Sequence, residues 1–255
     1  MHNRFMNLPI NTDETFKLPR LFVDNSLAQN GVIDLEPAQA HYLINVLRRN
    51  QGDQIRLFNG KDGEWLGILS VQSKKSATIQ ITQQLLEQPQ LARRIHLLFA
   101  PIKKQRMDWL IEKAVELGAT DFHPILTQNT EVRKIREDRL KAQIFEAAEQ
   151  CERLEIPSLH TLQKWDTLLS KWDKTVPVIS CIERYDAQPI VAVMQDHSNS
   201  NIAILIGPEG GFTKEERDQI AQKSIPVTLG NTILRSETAV IKALIIAQSL
   251  EISPN

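Results

Sequence analysis

A chain of 255 residues with 42% hydrophobic and 24% charged residues has the composition of an ordinary globular protein, with room for one large domain or two modest ones. Its formal net charge of −1 excludes a global field pulling it to nucleic acid or membrane, so any such binding must come from local patches. Two distant cysteines, Cys151 and Cys181, exclude a disulfide framework and a cysteine-based structural zinc site, and the lack of a signal-like or spanning apolar run points to the cytoplasm and away from membranes.

Residues 1–17 carry Arg4, Asp13, Glu14 and Lys17 but no apolar run, and are expected to form a loosely ordered extension. From Leu18 to about Glu87 the pattern is mostly β. Gln54–Phe58 alternates, Asn59-Gly60 marks a tight turn, and Gly63–Leu69 and Ala77–Thr82 read as further strands. One helix is predicted from Pro37 to about Arg49, with Ala40, Leu43, Val46 and Leu47 on one face and Arg48 and Arg49 at its carboxyl end, where the helix dipole favours cations. Short strands with a single helix suggest a small barrel-like module over residues 18–87.

Gln83–Ala92 is polar, contains Pro89 and reads as a linker. Over residues 93–255 strands and helices alternate. Strands are predicted at Ile95–Phe99, Phe122–Leu126, Val178–Ile182, Ile202–Ile206 and Pro226–Leu229, and helices at Arg106–Leu117, Arg139–Arg153 and Thr238–Leu250. This order predicts an α/β domain with a mainly parallel sheet covered by helices. The last helix is apolar nearly all round, which suits either a central core helix or a subunit interface.

Two segments carry the chemistry. Leu205-Ile206-Gly207-Pro208-Glu209-Gly210-Gly211-Phe212 is an apolar strand running into a glycine-rich loop, and Thr213-Lys214-Glu215-Glu216 follows as a capping box. Val227-Thr228-Leu229-Gly230 is a second strand end, followed by Ile233-Leu234-Arg235-Ser236-Glu237-Thr238-Ala239 at a helix start. Glycine lets a backbone approach a ligand closely, and open α/β sheets bind ligands at the carboxyl ends of their strands. The spacing matches neither the dinucleotide fingerprint nor a P-loop, so the loops indicate a backbone-read ligand without naming it. Arg93, Arg94, Lys103, Lys104 and Arg106 form a basic run that suits either a solvated face or phosphate binding, and Arg20, Arg48, Arg49, Arg133, Lys134 and Arg136 are candidates to extend it. Arg235, Glu237 and Glu209 are either structural or functional groups beside the loops, whereas Glu112 reads as a solvated partner of Lys113 or Lys104. No histidine pair has metal-ligand spacing along the chain, and no metal is expected.

The paired Gly207–Phe212 and Leu229-Gly230/Leu234–Ala239 segments resemble the cofactor site of the SPOUT methyltransferases. Together with Pro101–Lys104, Met107–Gly118, Glu146–Cys151 and His41–Arg48, they resemble most closely the bacterial 16S ribosomal RNA uridine-N3 methyltransferase family, over about Arg20 to Ala247. The resemblance implies a PUA-like RNA-binding barrel and a C-terminal α/β domain with a trefoil knot. It also implies a homodimer that binds S-adenosylmethionine in the knot and modifies a uridine of the small ribosomal subunit. On that reading, backbone around Leu205–Gly211 and Leu229–Leu234 holds the cofactor. Glu209 or Glu237 serves as base, or Arg235 stabilises charge on the uracil, and Arg20, Arg48, Arg49, Lys103, Lys104, Arg106 and Arg133 meet RNA. A related knotted enzyme acting on another RNA or a ribose 2′-oxygen, and a non-catalytic RNA-binding assembly factor, are the competing readings. The chain departs from the family pattern at Thr127–Val132 and at Glu152, where glycine is common, and neither departure is expected to touch the cofactor loops.

Overall fold

The computed structural model describes residues 12–250, which divide into two compact units: residues up to 90 with 152–156, and residues 91–151 with 157 onward.

In the first unit α1 (Thr12–Thr15) precedes β1 (Arg20–Phe22), β2 (Val32–Asp34), α2 (Pro37–His41), β3 (Gln54–Phe58), β4 (Glu64–Ser73) and β5 (Ser76–Leu86). The strands form one sheet of order β1-β3-β4-β5-β2, antiparallel except for the β1–β3 pair. Ile33, Leu43, Ile55, Leu57, Leu69, Ile79 and Ile81 fill its core. The strand alternation was legible, but β5 runs through Leu86, into the expected linker, because Leu85 is buried and Leu86 pairs with Glu64. The helix expected through Arg49 is α-helical only to His41; a π-helical turn spans Tyr42–Val46 and Arg48 adopts φ +54°. The end of the expected loose extension is instead ordered: Thr15 is buried, and the Arg56 guanidinium donates to the Phe16 carbonyl at 3.2 Å. Residues 1–11 lie outside the described residues.

Three charged side chains cross this unit's interior. Arg20 donates to Glu64 at 2.6 Å with its guanidinium 3.6 Å from the centre of the Phe58 ring, and Arg56 lies 3.7 Å from the same carboxylate. Glu152 holds φ +57°, which explains why glycine suits that position, and its carboxylate accepts from Arg56 at 2.7 Å.

The second unit continues with β6 (Ile95–Phe99), α3 (Lys104–Glu116), β7 (Asp121–Leu126), α4 (Glu137–Gln150), β8 (Ser158–Leu159), β9 (Gln163–Lys164), α5 (Trp165–Ser170), β10 (Val178–Cys181), β11 (Gln188–Pro189), α6 (Ile190–Asp196), β12 (Ile202–Ile206), α7 (Lys214–Lys223), β13 (Ile225–Thr228) and α8 (Ser236–Ser249). Every pairing in its sheet is parallel, in the order β11-β13-β10-β12-β6-β7-β8, with β9 also on β7. The central strand β12 is buried at all five residues, as a strand covered on both faces must be. α8 packs on α3, α6 and β12 through Ala239, Val240, Ala243, Leu244 and Ala247, so it serves the core of this unit, while Ile245 stays 45% exposed. No helix among the described residues is long and apolar enough to cross a membrane.

Candidate active site

The carboxyl ends of β10, β12 and β13 lie side by side, and the loops leaving them wall a cavity of about 660 Å³. That volume lies within the roughly 300–1,000 Å³ of small-molecule sites. Residues 206–212 form one wall and residues 227–234 another, which brings together two segments that are separate in sequence. Of the residues assigned to a ligand from sequence, Ile206, Gly207, Pro208, Glu209, Gly210, Gly211, Leu229, Gly230, Ile233 and Leu234 all line the cavity. Leu205 does not; it is buried inside β12 among Leu98, Ile125 and Ala203. A third wall, Cys181–Tyr185 at the end of β10, escaped sequence reading because it carries no glycine motif. Its signal was the strand end itself.

Each loop is fixed by local chemistry. Gly211 takes φ +66° and Gly230 φ +121°, backbone geometries that a side chain would strain. The Ser236 hydroxyl at the start of α8 donates to the Gly207 carbonyl at 2.9 Å and so ties the two glycine loops together. Thr213 caps α7 in a complete capping box with Glu216. Glu216 does more than cap. Its buried Oε1 also accepts from the Gln128 backbone N–H at 2.8 Å and from the Trp165 indole at 3.1 Å. Asn129 donates from Nδ2 to the Gly210 and Gly211 carbonyls, each at 3.1 Å. The expectation that Thr127–Val132 stays clear of the cofactor loops is therefore corrected. This segment buttresses the glycine loop because β7 delivers it beside the start of α7.

Among the three candidate catalytic groups only Glu209 lines the cavity. Its carboxylate faces the Arg106 guanidinium of α3 at 3.4 Å. Arg235 is the exposed N-cap residue of α8. Glu237, two residues on, is buried, and its Oε2 has no hydrogen-bond partner, an unusual state for a buried carboxylate oxygen. Burial pushes the Cys181 thiol up to about 12, so it stays protonated at the cavity wall.

The basic residues separate into two groups. Arg20 is corrected from an RNA contact to a core residue, because its guanidinium is consumed by Glu64, Phe58 and the Arg153 carbonyl. Arg93 is likewise inside, donating to the Ala247 and His197 carbonyls, and Arg94 chelates Asp121. Lys103, Lys104, Arg133 and Arg48 are exposed, while Arg49 and Arg106 are half-buried. Glu112 pairs with Lys113 at 2.7 Å, as a solvated partner should.

A family model described as an RNA methyltransferase domain matches residues 89–248, and one described as an RNA methyltransferase PUA domain matches residues 35–82. The chain is 33% identical over 231 residues to the ribosomal RNA small subunit methyltransferase E of Rickettsia conorii, covering 89% of this chain and 94% of that protein. The protein of that name from Bacillus subtilis is 28% identical, with 81% and 85% covered. A crystal structure of the Neisseria gonorrhoeae ribosomal RNA small subunit methyltransferase E bound to S-adenosyl methionine superposes with a TM-score of 0.81 at 30% identity, covering 91% of this chain and 98% of that one. A Legionella pneumophila methyltransferase in complex with the same cofactor gives 0.77 at 29% identity, with 91% and 97% covered. Matched over nearly its whole length by sequence and by structure, the chain belongs to the RNA methyltransferase family of the ribosomal RNA small subunit methyltransferase E proteins.

Proposed function

We propose that this protein transfers a methyl group from S-adenosylmethionine to N3 of one uridine in 16S ribosomal RNA of the small subunit. The observation that carries the reading is the convergence of the two glycine loops on one cavity at the ends of β10, β12 and β13. Its walls mix apolar residues, Leu229, Ile233 and Leu234, with the glycine-rich backbone of the loops, which suits a ligand that is part aromatic base and part polar tail. Relatives named for small-subunit ribosomal RNA and structures holding S-adenosylmethionine support the same conclusion.

The cofactor supplies an electrophilic methyl group on a sulfonium, so the protein's task is to position and to manage one proton. Residues 206–211 and 229–234 hold the cofactor through their backbone. Uridine N3 must lose its proton as the carbon–nitrogen bond forms. Glu209 is the candidate base inside the cavity, and the Arg106 guanidinium, 3.4 Å from its carboxylate, orients it. Arg235, exposed at the start of α8, is the candidate cation for charge developing on the uracil oxygens. Glu237 sits beside it with a free acceptor oxygen and acts as the second candidate base.

Residues 18–87 form a PUA-like barrel for RNA and residues 93–255 a knotted methyltransferase domain in this reading. Arg48, Arg49, Lys103, Lys104, Arg106 and Arg133 supply phosphate contacts, the target base is extruded or unpaired, and the enzyme works in the cytoplasm as a homodimer. Exposed Trp109 on α3 and Ile245 on α8, each 45% accessible, support an apolar subunit contact. The test is transfer of label from S-adenosylmethionine to small subunits lacking the modification, with large subunits as the control. Label on small subunits alone supports the reading; label on neither, or on large subunits, contradicts it.

A further inference from the structure

At the amino ends of β6 and β7, parallel register sets His96 opposite Asp121 and Leu98 opposite His123, so both histidines and the aspartate share one face of the sheet. His96 and His123 are far apart in sequence, which is why no ligand spacing was visible. His96 Nδ1 lies 3.2 Å from His123 Nε2 and 3.5 Å from Asp121 Oδ2. Ligand atoms bonded to zinc at about 2.0–2.1 Å in a tetrahedron stand roughly 3.3 Å apart, so both distances match an edge of such a site. All three ligand atoms lie within 4.8 Å of one another.

We propose that His96, Asp121 and His123 form a binding site for a divalent transition-metal cation of the zinc type. Two imidazoles and one carboxylate are a donor set that zinc, cobalt and nickel accept, and they leave a fourth position for water. Asp121 is held in place by its neighbours, as a ligating carboxylate is. Asp121 Oδ1 accepts from Arg94 at 2.8 Å and faces His160 Nε2 at 3.2 Å, and the Thr120 hydroxyl donates to Oδ2 at 2.7 Å. The His160 ring stacks on His123 with centroids 3.9 Å apart.

Binding requires two local changes. The proton shared between the two histidines must move off that contact, placing hydrogens on His96 Nε2 and His123 Nδ1 so that both facing nitrogens offer lone pairs. Arg94, whose side chain is 43% exposed, must release Oδ2 and turn toward solvent, since a guanidinium and a dication compete for one carboxylate. His160, whose side chain is 43% exposed, borders the cluster on its solvent side through its 3.2 Å contact with Asp121 Oδ1. A bound cation would pin β6 to β7. The assignment is independent of the methyl-transfer reading.

Trp172 stands edge-on to both rings, with centroids 5.3 Å from His96 and from His123, and provides a reporter. Untagged protein freed of metal with chelator is titrated with Zn²⁺ alone by calorimetry, and with Co²⁺ followed by visible absorption and tryptophan fluorescence. One Zn²⁺ per chain is expected, with Co²⁺ giving the intense bands of a four-coordinate site and quenching fluorescence that Trp172→Phe removes. His96→Gln and, separately, His123→Gln should weaken binding at least tenfold, while His41→Gln leaves it unchanged. Should a His variant fail to fold, Arg94→Met provides the complementary test, because removing the competing cation should tighten Zn²⁺ binding. No saturable binding to the wild-type protein, or binding unaltered by His96→Gln and by Arg94→Met, would overturn the proposal.

Discussion

The side-chain amide of Asn129 lies 3.1 Å from the carbonyl oxygen of Gly210, joining the loop after β7 to the glycine loop after β12. The same nitrogen reaches the Gly211 carbonyl at 3.1 Å. Asn129→Ala removes both bonds and leaves the loop free to relax. With about 1 kcal/mol net for each bond, cofactor affinity should fall by roughly tenfold or more. Calorimetric titration with S-adenosylmethionine measures it; unchanged affinity would mean that the loop holds its shape without this brace.

Gly210 has an ordinary backbone conformation but little room. A Cβ there would stand 3.1 Å from the Asn129 Cβ. Gly210→Val adds two further methyl groups against the brace, so cofactor binding should be lost while the circular dichroism spectrum and unfolding midpoint stay near those of the wild type. Normal cofactor affinity in this variant would count against residues 206–211 as the cofactor loop.

Glu216 satisfies three donors at once: the backbones of Thr213 and Gln128 and the indole of Trp165. Replacing it with alanine strips the capping box from α7, strands the buried Trp165 indole N–H and frees the part-buried Gln128 N–H. A loss of about 2–4 kcal/mol follows from the cap and the unpaired groups together. Urea unfolding followed by Trp165 fluorescence reads it. Glu216→Gln, which keeps an acceptor oxygen, should recover part of the loss.

Arg20 and Lys103 make a paired test of which cations face RNA. Arg20 is buried on Glu64, so Arg20→Ala should cost about 3 kcal/mol of stability by leaving that carboxylate with only the more distant Arg56, 3.7 Å away. Lys103 is 67% exposed in a side-chain pair with Glu131 at 3.2 Å, and its removal should leave stability unchanged. If Lys103 contacts a phosphate, Lys103→Ala lowers the salt dependence of RNA binding by about one unit of slope. An unchanged slope would place Lys103 outside the RNA path.

Much of this architecture was legible because the relevant signals are local. The strand at Gln54–Phe58, the apolar run at Ile202–Ile206 and the Thr213–Glu216 capping box each rest on signals within a few residues and stand where the pattern placed them, although Ile55–Phe58 is buried on both faces. The glycine loops were legible as well, since a strand end followed by glycines is a short-range statement. What sequence could not show is pairing across distance. Arg20 looks like any surface arginine until Glu64 and Phe58 are seen beneath it. Asn129 looks like a loop residue until β7 carries it to Gly210. The wall at Cys181–Tyr185 depends on β10 lying between β12 and β13, an order no local pattern encodes.

The central claim is the identity of the modified atom. Small subunits from a strain lacking the modification should be incubated with the enzyme and labelled S-adenosylmethionine, the RNA digested to nucleosides, and the labelled product identified by chromatography and mass spectrometry. The account predicts N3-methyluridine from a single site, lost in Gly210→Val. Label recovered in a ribose-methylated nucleoside, or in any base other than uracil, would contradict it.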